Sequence, residues 1–318
     1  MEKYEKEYYE KMTTAEEMLF DRFRKKESLN GHWHYAVDQY DTCLRQKWFQ
    51  ETYYDSNGNT LPVDFSFDEW ELMTLPCCWN MADDMYRLYE GSMVYTRKFH
   101  YTRQQDDERV ILKIGAANYL CHVFINRQYV GMHRGGSTPG SFDITDFLAE
   151  DNRFILQVNN TRKNYQVPAL DTDWFSYGGI YRDIDLFRVP DTHIRDFKIA
   201  LEPDSGFGKI RANVSVSNSY TGNAVLTIKE LNISQDISVK NGIGEVILSA
   251  SPELWSPENP KLYEVSLTCA RDQVQDLVGF REIRVNGTEI ILNEKTIFLR
   301  GISCHEESKV NGKALTDE

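Results

Sequence analysis

The chain has 318 residues, of which 41% are hydrophobic and 27% are charged, the balance of a globular protein with two or three domains. Its formal net charge of −13 at pH 7 excludes nucleic acid as an expected partner, because phosphate binding needs clustered lysines and arginines. No run of 18 or more apolar residues is present, so neither a membrane-spanning helix nor a membrane partner is predicted.

The N-terminus and the cysteines together predict a cytoplasmic protein. Residues 1–7 lack the apolar core that a secretory signal needs. The cysteines have no metal-ligand spacing, which predicts free thiols in a reducing compartment and no metal or other cofactor. They are Cys43, Cys77, Cys78, Cys121, Cys269 and Cys304. The sequence leaves open whether the chain forms a homo-oligomer.

Residues 1–27 are predicted to form a helical extension. They are rich in Glu, Lys, Tyr and Met and contain neither Gly nor Pro. Thr13 to Glu17 resembles a capping box, and Leu19, Phe20 and Phe23 supply a short apolar stripe. Binding to a membrane surface is the alternative role for such a helix, but the acidic residues on its other face disfavour that role.

Residues 28–190 are predicted to form a jelly-roll sandwich, because many short strands alternate with turn signals. About 160 residues fit a jelly roll better than a seven-stranded immunoglobulin domain. The predicted strands are Trp33–Val37, Val94–Phe99, Val110–Ile114, Leu120–Asn126, Arg127–His133, Arg153–Asn159 and Ile180–Val189.

Residues 191–285 are predicted to form an immunoglobulin-like sandwich, which makes the fold class all-β. The boundary falls at Val189-Pro190-Asp191, and the Cys–Trp–Cys spacing of antibody domains is absent. The predicted strands are His193–Leu201, Ile210–Val216, Ala224–Glu230, Gly244–Leu248, Leu262–Cys269 and Val278–Val285.

Residues 286–318 are interpreted as the truncated start of a (β/α)8 catalytic barrel. Ile290 to Leu299 is predicted as a buried strand broken by a polar turn, and it leads to His305, Glu306 and Glu307. Parallel barrels place chemistry where strands end. A zinc motif of the HExxH type is excluded because Lys309 stands where the second His would be. An exposed polar terminus is the alternative interpretation.

The segment from Asp171 to Arg182 is the other candidate site. It combines two aspartates, several aromatic side chains and the pair Gly178-Gly179. Aromatic faces stack on sugar rings, carboxylates accept hydrogen bonds from hydroxyls, and glycines allow close approach of backbone. The alternative is a loop entering a strand, with its aromatics in the core and Asp171 or Asp173 capping a turn.

Three further motifs are interpreted as structural. The loop His133–Pro139 is glycine-rich but lacks the spacing of a phosphate-binding loop. His32 and His34 share one face of a strand without a third metal ligand nearby. Leu254–Pro260 is a proline-containing loop anchored by Trp255.

Taken together, the segments resemble the front of a glycoside hydrolase family 2 enzyme, the family of β-galactosidases, β-glucuronidases and β-mannosidases. The resemblance covers residues 28–318 and depends on the order and spacing of the motifs. They are Leu29–Trp33, Val123–Asn126 with Val130-Gly131, Gly135–Pro139, Ser141–Thr145, Trp174–Arg182, Leu254–Tyr263, Gly279–Arg281, Leu299–Gly301 and His305-Glu306.

The resemblance implies an N-terminal part of a retaining exo-β-glycosidase that hydrolyses O-glycosidic bonds of carbohydrates. It implies that Asp173 helps to bind the terminal sugar and that His305 lines the substrate pocket, with Glu306 as its supporting neighbour. Ser303-Cys304 stands where the family usually has Asn-Arg or a similar pair, which leaves the sugar open. The implied partners are a terminal β-linked sugar and the catalytic barrel.

No catalytic residue is predicted within the chain, because the resemblance implies that both catalytic glutamates lie further along, in the barrel. Glu306 and Glu307 cannot replace them, since adjacent residues do not face each other across a glycosidic bond. The chain alone is therefore expected to be inactive. A freestanding carbohydrate-binding module and a structural two-sandwich protein are the alternative functions.

Overall fold

The computed structural model describes residues 17–50, 52–62, 67–167 and 169–316. Nearly all of their regular structure is β, which confirms the predicted fold class. The chain divides into two compact units. The first contains residues 26–188 with 17 and 305–316, and the second contains 18–25 and 189–304. Among the described residues, no helix is long and apolar enough to cross a membrane.

The first unit contains strands β1 to β15. In chain order they are β1 (Lys26–Ser28), β2 (Gly31–Asp38), β3 (Thr52–Tyr54), β4 (Thr60–Pro62), β5 (Glu71–Leu75), β6 (Cys77–Cys78), β7 (Ser92–His100), β8 (Glu108–Ile114), β9 (Ala117–Asn118), β10 (Leu120–Ile125), β11 (Gln128–Arg134), β12 (Gly140–Asp143), β13 (Asp151–Asn159), β14 (Gly179–Ile180) and β15 (Ile184–Pro190). A one-turn helix, α1, spans Trp79–Ala82. Short 3-10 turns occupy Trp48–Gln50, Phe67–Glu69, Asp84–Tyr86 and Thr145–Phe147.

Two antiparallel sheets form the body of this unit. Their strand orders are β11-β10-β13-β7-β2-β5 and β1-β15-β8-β12, and a small sheet β6-β14-β9 lies beside them. Side chains of a strand alternate between its two faces, so every second residue points into the space between the sheets. Val110, Leu112 and Ile114 of β8 enter one buried cluster with Val123 and Ile125 of β10. The result is the two-layered sandwich expected for a jelly roll.

A second apolar cluster covers the outer face of the six-stranded sheet. It contains Cys43, Trp48, Phe49, Phe67, Val94, Phe124 and Ile155. His122 of β10 lies on the same face and is only 2% exposed, with Nδ1 at 3.2 Å from the Tyr129 hydroxyl. Burial lowers the pKa of His122 to about 3 because the imidazolium would lose its hydration.

His122 should make the first unit sensitive to acid. Its pKa is about 3 when folded and about 6.5 in an unfolded chain, so below pH 6.5 the unfolded state binds more protons and stability falls. Between pH 7 and pH 5 we expect a loss of about 2 kcal/mol that His122→Gln does not show. Urea denaturation followed by tryptophan fluorescence measures it, with exposed His32→Gln as the control. Equal pH dependence of the wild type and His122→Gln would contradict the prediction.

The second unit contains strands β16 to β25. In chain order they are β16 (Ile194–Leu201), β17 (Lys209–Val216), β18 (Gly222–Ile228), β19 (Ile233–Lys240), β20 (Ile243–Ser249), β21 (Tyr263–Cys269), β22 (Asp272–Val278), β23 (Ile283–Asn286), β24 (Glu289–Leu292) and β25 (Lys295–Ile297). A 3-10 turn at Lys229–Leu231 joins β18 to β19.

The first seven of these strands form one antiparallel sheet that divides into two layers. The order is β16-β17-β20-β19-β18-β21-β22, and β19 pairs with β20 only at the tip of their hairpin. Alternate residues such as Ile210, Ala212 and Val214 of β17 are buried with Val265 and Leu267 of β21 in one core. Layers of three and four strands are those of an immunoglobulin-like sandwich.

The N-terminal helix is not formed in residues 17–27; the rest of that prediction falls on residues 1–16, outside the described part. Residues 17–25 contain a turn in which Arg24 N donates to Asp21 O, and β1 begins at Lys26. Instead of an apolar stripe on a helix, contacts of individual side chains attach this segment to the second unit. Phe20 packs on Phe197 with a ring distance of 4.6 Å, and Arg24 pairs with Asp272.

The Arg24–Asp272 pair is bidentate and buried. Both guanidinium Nη atoms lie 2.7 Å from carboxylate oxygens, and the side chains are 10% and 4% exposed. Asp272 Oδ2 also accepts from Ile194 N, and Arg24 Nη2 donates to Ile194 O. The pair therefore connects the N-terminal segment to β16 and to the start of β22.

Replacing Arg24 with Met should destabilise the second unit by about 3–5 kcal/mol, because Asp272 would remain buried without its counter-charge. Urea denaturation followed through Trp255, which is the single tryptophan of residues 189–304, reports on this unit. The control is Arg22→Met, which removes the more exposed pair with Asp276 and should cost less than about 1 kcal/mol. Similar losses in the two variants would contradict the prediction.

Residues 290–299 do not form the expected single buried strand. Strands β23, β24 and β25 form a three-stranded antiparallel sheet, in which Asn293 and Glu294 make the second turn with positive φ. Leu292 is buried, whereas Phe298 and Leu299 are 85% and 66% exposed. The polar Asn293-Glu294 turn reverses the chain, so β24 and β25 pair with each other.

Candidate functional site

The loop between β13 and β14 carries Asp173 and is anchored at its two ends by Asn160. The Asn160 side chain accepts from Gly91 N and donates to Ser176 O at 2.8 Å. The Ser176 hydroxyl lies within hydrogen-bond distance of Asn160 O. A buried amide that satisfies backbone groups on both sides fixes where the loop leaves and rejoins the sandwich.

The returning end of this loop lies on α1. Trp79 N donates to Gly178 O, and Gly178 N donates to the Asn80 side chain. A Cβ at Gly178 would come within 1.9 Å of the Trp79 ring, and Gly179 has φ +124° close to Cys77 O. Only glycines allow this approach, which is the reason predicted for the Gly pair.

The aromatic side chains of the loop divide between surface and interior. Trp174 and Phe175 are 55% and 41% exposed, and Asp173 is exposed beside them. Tyr177 is half-buried, with its ring 4.7 Å from that of Phe175. The Asn118 amide donates to Tyr177 O. Trp174 and Phe175 are therefore not core residues, so this part of the loop-entry alternative fails.

The C-terminal segment of the described chain folds onto Tyr177. Ser308 and Gly312 exchange backbone hydrogen bonds of 2.9 and 3.1 Å. Gly312 has φ +54°, and a Cβ there would meet the Tyr177 ring at 2.7 Å. Ala314 is buried with Cys78, Met81 and Tyr181. The turn thus brings residues 305–307 to the loop that carries Asp173.

The Cys78 side chain contacts the docked C-terminal turn, and this contact affects the pKa of its thiol. Burial raises the pKa of its thiol to about 12, while hydrogen bonds from the backbone of Lys313 and Ala314 act in the opposite direction. The sulfur is therefore a buried, protonated packing group beneath the turn. A thiol of this kind is a poor nucleophile.

His305 lies between Trp174 and Glu307. The rings of Trp174 and His305 meet edge to face, with a centroid distance of 6.1 Å and an angle of 87°. Nδ1 of His305 is 3.8 Å from Glu307 Oε1, and the His305 side chain is 60% exposed. Burial raises the pKa of Tyr177, and the charge of Glu307 and its hydrogen bond to the hydroxyl add to this rise.

The structure thus brings two of the predicted site segments to one surface. The Trp174–His305 contact joins the loop of Asp173 to His305, while Glu306 is exposed next to them. The sequence predicts stacking faces for sugar rings among the aromatic side chains of this loop, but it does not single out Trp174, Tyr177 or Glu307 as a site residue. Trp174 and Tyr177 belong to the aromatic segment that it did select, but spacing alone could not distinguish Glu307 from Glu306.

The other motifs have local hydrogen-bonding roles. His34 Nδ1 lies 2.8 Å from Trp70 O, and His32 Nδ1 lies 3.1 Å from the Thr74 hydroxyl. In the glycine-rich loop, His133 Nε2 lies 3.1 Å from Gly135 O, and the Tyr181 hydroxyl donates to Gly136 O. Within the described residues, no group of three or more His, Cys, Asp or Glu side chains could hold a metal ion.

Comparison with known proteins gives the family. A model described as "Glycosyl hydrolases family 2, sugar binding domain" matches residues 26–190, and one described as "Glycosyl hydrolases family 2" matches residues 192–281. The first match alone covers more than half of the chain, so the chain belongs to glycosyl hydrolase family 2.

Individual relatives carry glycosidase names. A putative beta-glucuronidase of Formosa agariphila is 26% identical over 314 residues, which are 92% of this chain and 36% of that protein. A beta-galactosidase of Clostridium acetobutylicum is 23% identical over 98% of this chain and 37% of its own length. The chain thus spans little more than a third of these curated relatives.

The solved structure of a beta-glucuronidase from an uncultured Clostridium species has a TM-score of 0.76 and 23% identity, over 96% of this chain and 52% of that chain. At this identity the likeness shows the fold alone.

Gly312 should be essential for holding residues 305–316 on the first unit. In Gly312→Ala a Cβ enters the Tyr177 ring and the backbone keeps a left-handed φ, a strain of about 1–3 kcal/mol. We expect the Ala314 amide, which donates to Asn311 O, to exchange its hydrogen about tenfold faster or more. Gly301→Ala is the control, since nothing lies within 4 Å of a Cβ there. Unchanged Ala314 exchange in Gly312→Ala would contradict this role.

Proposed function

We propose that this chain is the sugar-binding and immunoglobulin-like part of a retaining exo-β-glycosidase of the β-glucuronidase and β-galactosidase type. In the whole protein it would act with a catalytic barrel that hydrolyses O-glycosidic bonds. The chain contributes one wall of the sugar pocket and no catalytic carboxylate. Its membership of glycosyl hydrolase family 2 and the names of its relatives support this proposal.

The observation that carries the proposal is the contact between Trp174 and His305. It joins the two polar groups that a terminal sugar would meet, Asp173 on the loop and His305 on the C-terminal segment. A carboxylate accepts hydrogen bonds from sugar hydroxyls, an imidazole can donate or accept one, and an indole face covers the apolar side of a sugar ring. Holding the sugar in one orientation would let barrel carboxylates reach its glycosidic bond.

The retaining reaction needs an acid/base and a nucleophilic carboxylate about 5 Å apart on opposite sides of the bond. Glu306 and Glu307 are consecutive residues, and Glu307 is directed to Tyr177 and His305. This arrangement supports assigning the two catalytic roles to the barrel. The proposed task of the chain is binding and orientation.

A freestanding carbohydrate-binding module is the second candidate function. The exposed side chains of Trp174 and Phe175 favour it, because neighbouring exposed aromatic rings offer a stacking surface for sugars. The two functions differ in the affinity expected from the chain alone. A wall of a shared pocket binds weakly, whereas a complete binding module does not need a second domain.

The proposal predicts weak, localised sugar binding by the chain alone. Methyl β-D-glucuronide and methyl β-D-galactoside are titrated separately while backbone amide resonances are recorded by NMR. With at least one of them we expect saturable changes at Asp173, Trp174 and His305, with a Kd on the order of 1 mM or weaker, because only part of the pocket is present. Asp173→Asn should weaken this binding about tenfold, since a hydrogen bond to a charged group is lost.

Asp171→Asn is the matched control, because Asp171 is exposed in the same loop two residues away. Loss of binding in both variants, or changes away from the site, would reject the assignment of Asp173. A Kd far below millimolar would favour the freestanding module.

The chain should also release no nitrophenol from 4-nitrophenyl β-glycosides above background, and turnover would overturn its assignment to binding alone.

A further inference from the structure

The environment of His305 is unequal at its two ring nitrogens. Glu307 N donates to His305 O at 2.9 Å, which closes a tight turn and keeps the two side chains close. Nδ1 of His305 is the nitrogen near Glu307, at 3.8 Å from Oε1. The distance is longer than a hydrogen bond, so a direct bond needs a small side-chain rotation and an indirect one needs a bridging water.

Glu307 also interacts with Tyr177, through its carboxylate and the tyrosine hydroxyl. The tyrosine is fixed through its carbonyl, which accepts from Asn118, and through its ring, which lies under Gly312. A carboxylate with an anchored partner is a better orienting group than one on a mobile side chain.

Trp174 also restricts the orientation of the His305 ring. The nearly perpendicular contact at 6.1 Å sets the plane of the imidazole relative to the indole. With Nδ1 on the side of Glu307, Nε2 is the nitrogen left for a ligand. Which ring nitrogen carries the proton decides whether Nε2 donates or accepts a hydrogen bond.

We propose that Glu307 is the positioning residue of His305: its carboxylate keeps the ring proton on Nδ1, so Nε2 accepts a hydrogen bond from a sugar hydroxyl. This assigns to Glu307 the supporting role that the sequence suggested for Glu306. It also specifies the group that would bind at His305, which is an uncharged hydroxyl that donates a hydrogen bond to Nε2. The part that concerns the sugar rests on the proposed function, whereas the His305–Glu307 pairing does not.

The test measures the tautomer of His305 in the chain without sugar. Nitrogen-15 chemical shifts of the ring distinguish protonated from unprotonated nitrogen, and His305→Gln assigns the signals. At about pH 8 we expect a substantial fraction of the ring to carry its proton on Nδ1. Glu307→Ala should reduce the ratio of Nδ1–H to Nε2–H by roughly two- to fivefold, the range of a partly exposed charge interaction.

Glu306→Ala is the matched control and should leave the ratio unchanged. Glu307→Gln, which keeps the shape but removes the charge, should give an intermediate ratio. A merely structural role for Glu307 would alter backbone amide shifts without changing the tautomer. An unchanged ratio in Glu307→Ala, or an equal change in Glu306→Ala, would overturn the proposal.

The sugar titration separates this inference from the proposed function. If the tautomer depends on Glu307 and the sugars still cause no change at His305, the pairing stands and the proposed function fails. If the sugars bind through Asp173 and the ratio of Nδ1–H to Nε2–H does not change in Glu307→Ala, the proposed function stands and the positioning role fails. With both correct, sugar addition should shift the Nε2 resonance in the wild type and less in Glu307→Ala.

Discussion

The close approach of Gly178 to the indole of Trp79 is the constraint on which the candidate site depends. Backbone lies where any side chain would collide with the ring, and hydrogen bonds from Trp79 and to Asn80 hold it there. Tyr177, the preceding residue, is consequently fixed. Its ring supports Gly312, and its hydroxyl interacts with Glu307. The exposed polar groups thus rest on a packed and largely apolar base.

The division between base and surface explains how this loop combines rigidity with accessibility. Asn160 satisfies the loop ends, and the Gly pair fixes the return into β14. Between these anchors Trp174 and Phe175 stay exposed. Burying both rings would gain hydrophobic free energy. In this loop that free energy is not realised, and both side chains remain accessible to a ligand. Binding residues are commonly found on surface loops that a rigid scaffold positions.

Much of the fold could be predicted because alternation along a buried strand is a strong signal. Predicted Val110–Ile114 and Ile210–Val216 lie within β8 and β17; alternate residues are buried in β17, and Ile111 is buried as well in β8. Strand β19 was missed because its first half is only partly buried and rich in polar residues. The predicted strand at Val278–Val285 is interrupted: Val278 ends β22 and β23 begins at Ile283, while Gly279 between them packs against the Trp255 ring and Phe280 enters the core.

The site was less predictable for a physical reason. Motif reasoning selects residue types, and it selected Asp173, His305 and Glu306, whose binding roles stay predictions. The contacts of Trp174 and Glu307 with His305 arise from a turn at Ser308–Gly312 that docks through tertiary packing. Adjacent glutamates have the same chemistry in a sequence, and only the fold separates them. Tertiary contacts also override local pattern in the N-terminal segment. In residues 17–25 the local pattern favours a helix, but long-range contacts such as Arg24–Asp272 hold the chain in another conformation.

The Arg24–Asp272 pair also has a consequence for biosynthesis. Its two residues are 248 positions apart, and the chain between them builds the whole first sandwich and most of the second. At about 5–20 residues per second, a ribosome needs roughly 12–50 s to deliver the aspartate after the arginine. During that interval the emerging arginine lacks its native carboxylate partner, although the residues of the first sandwich have already been synthesised. The order of translation thus separates the two charges in time, and this ion pair can form only after residue 272 has been synthesised.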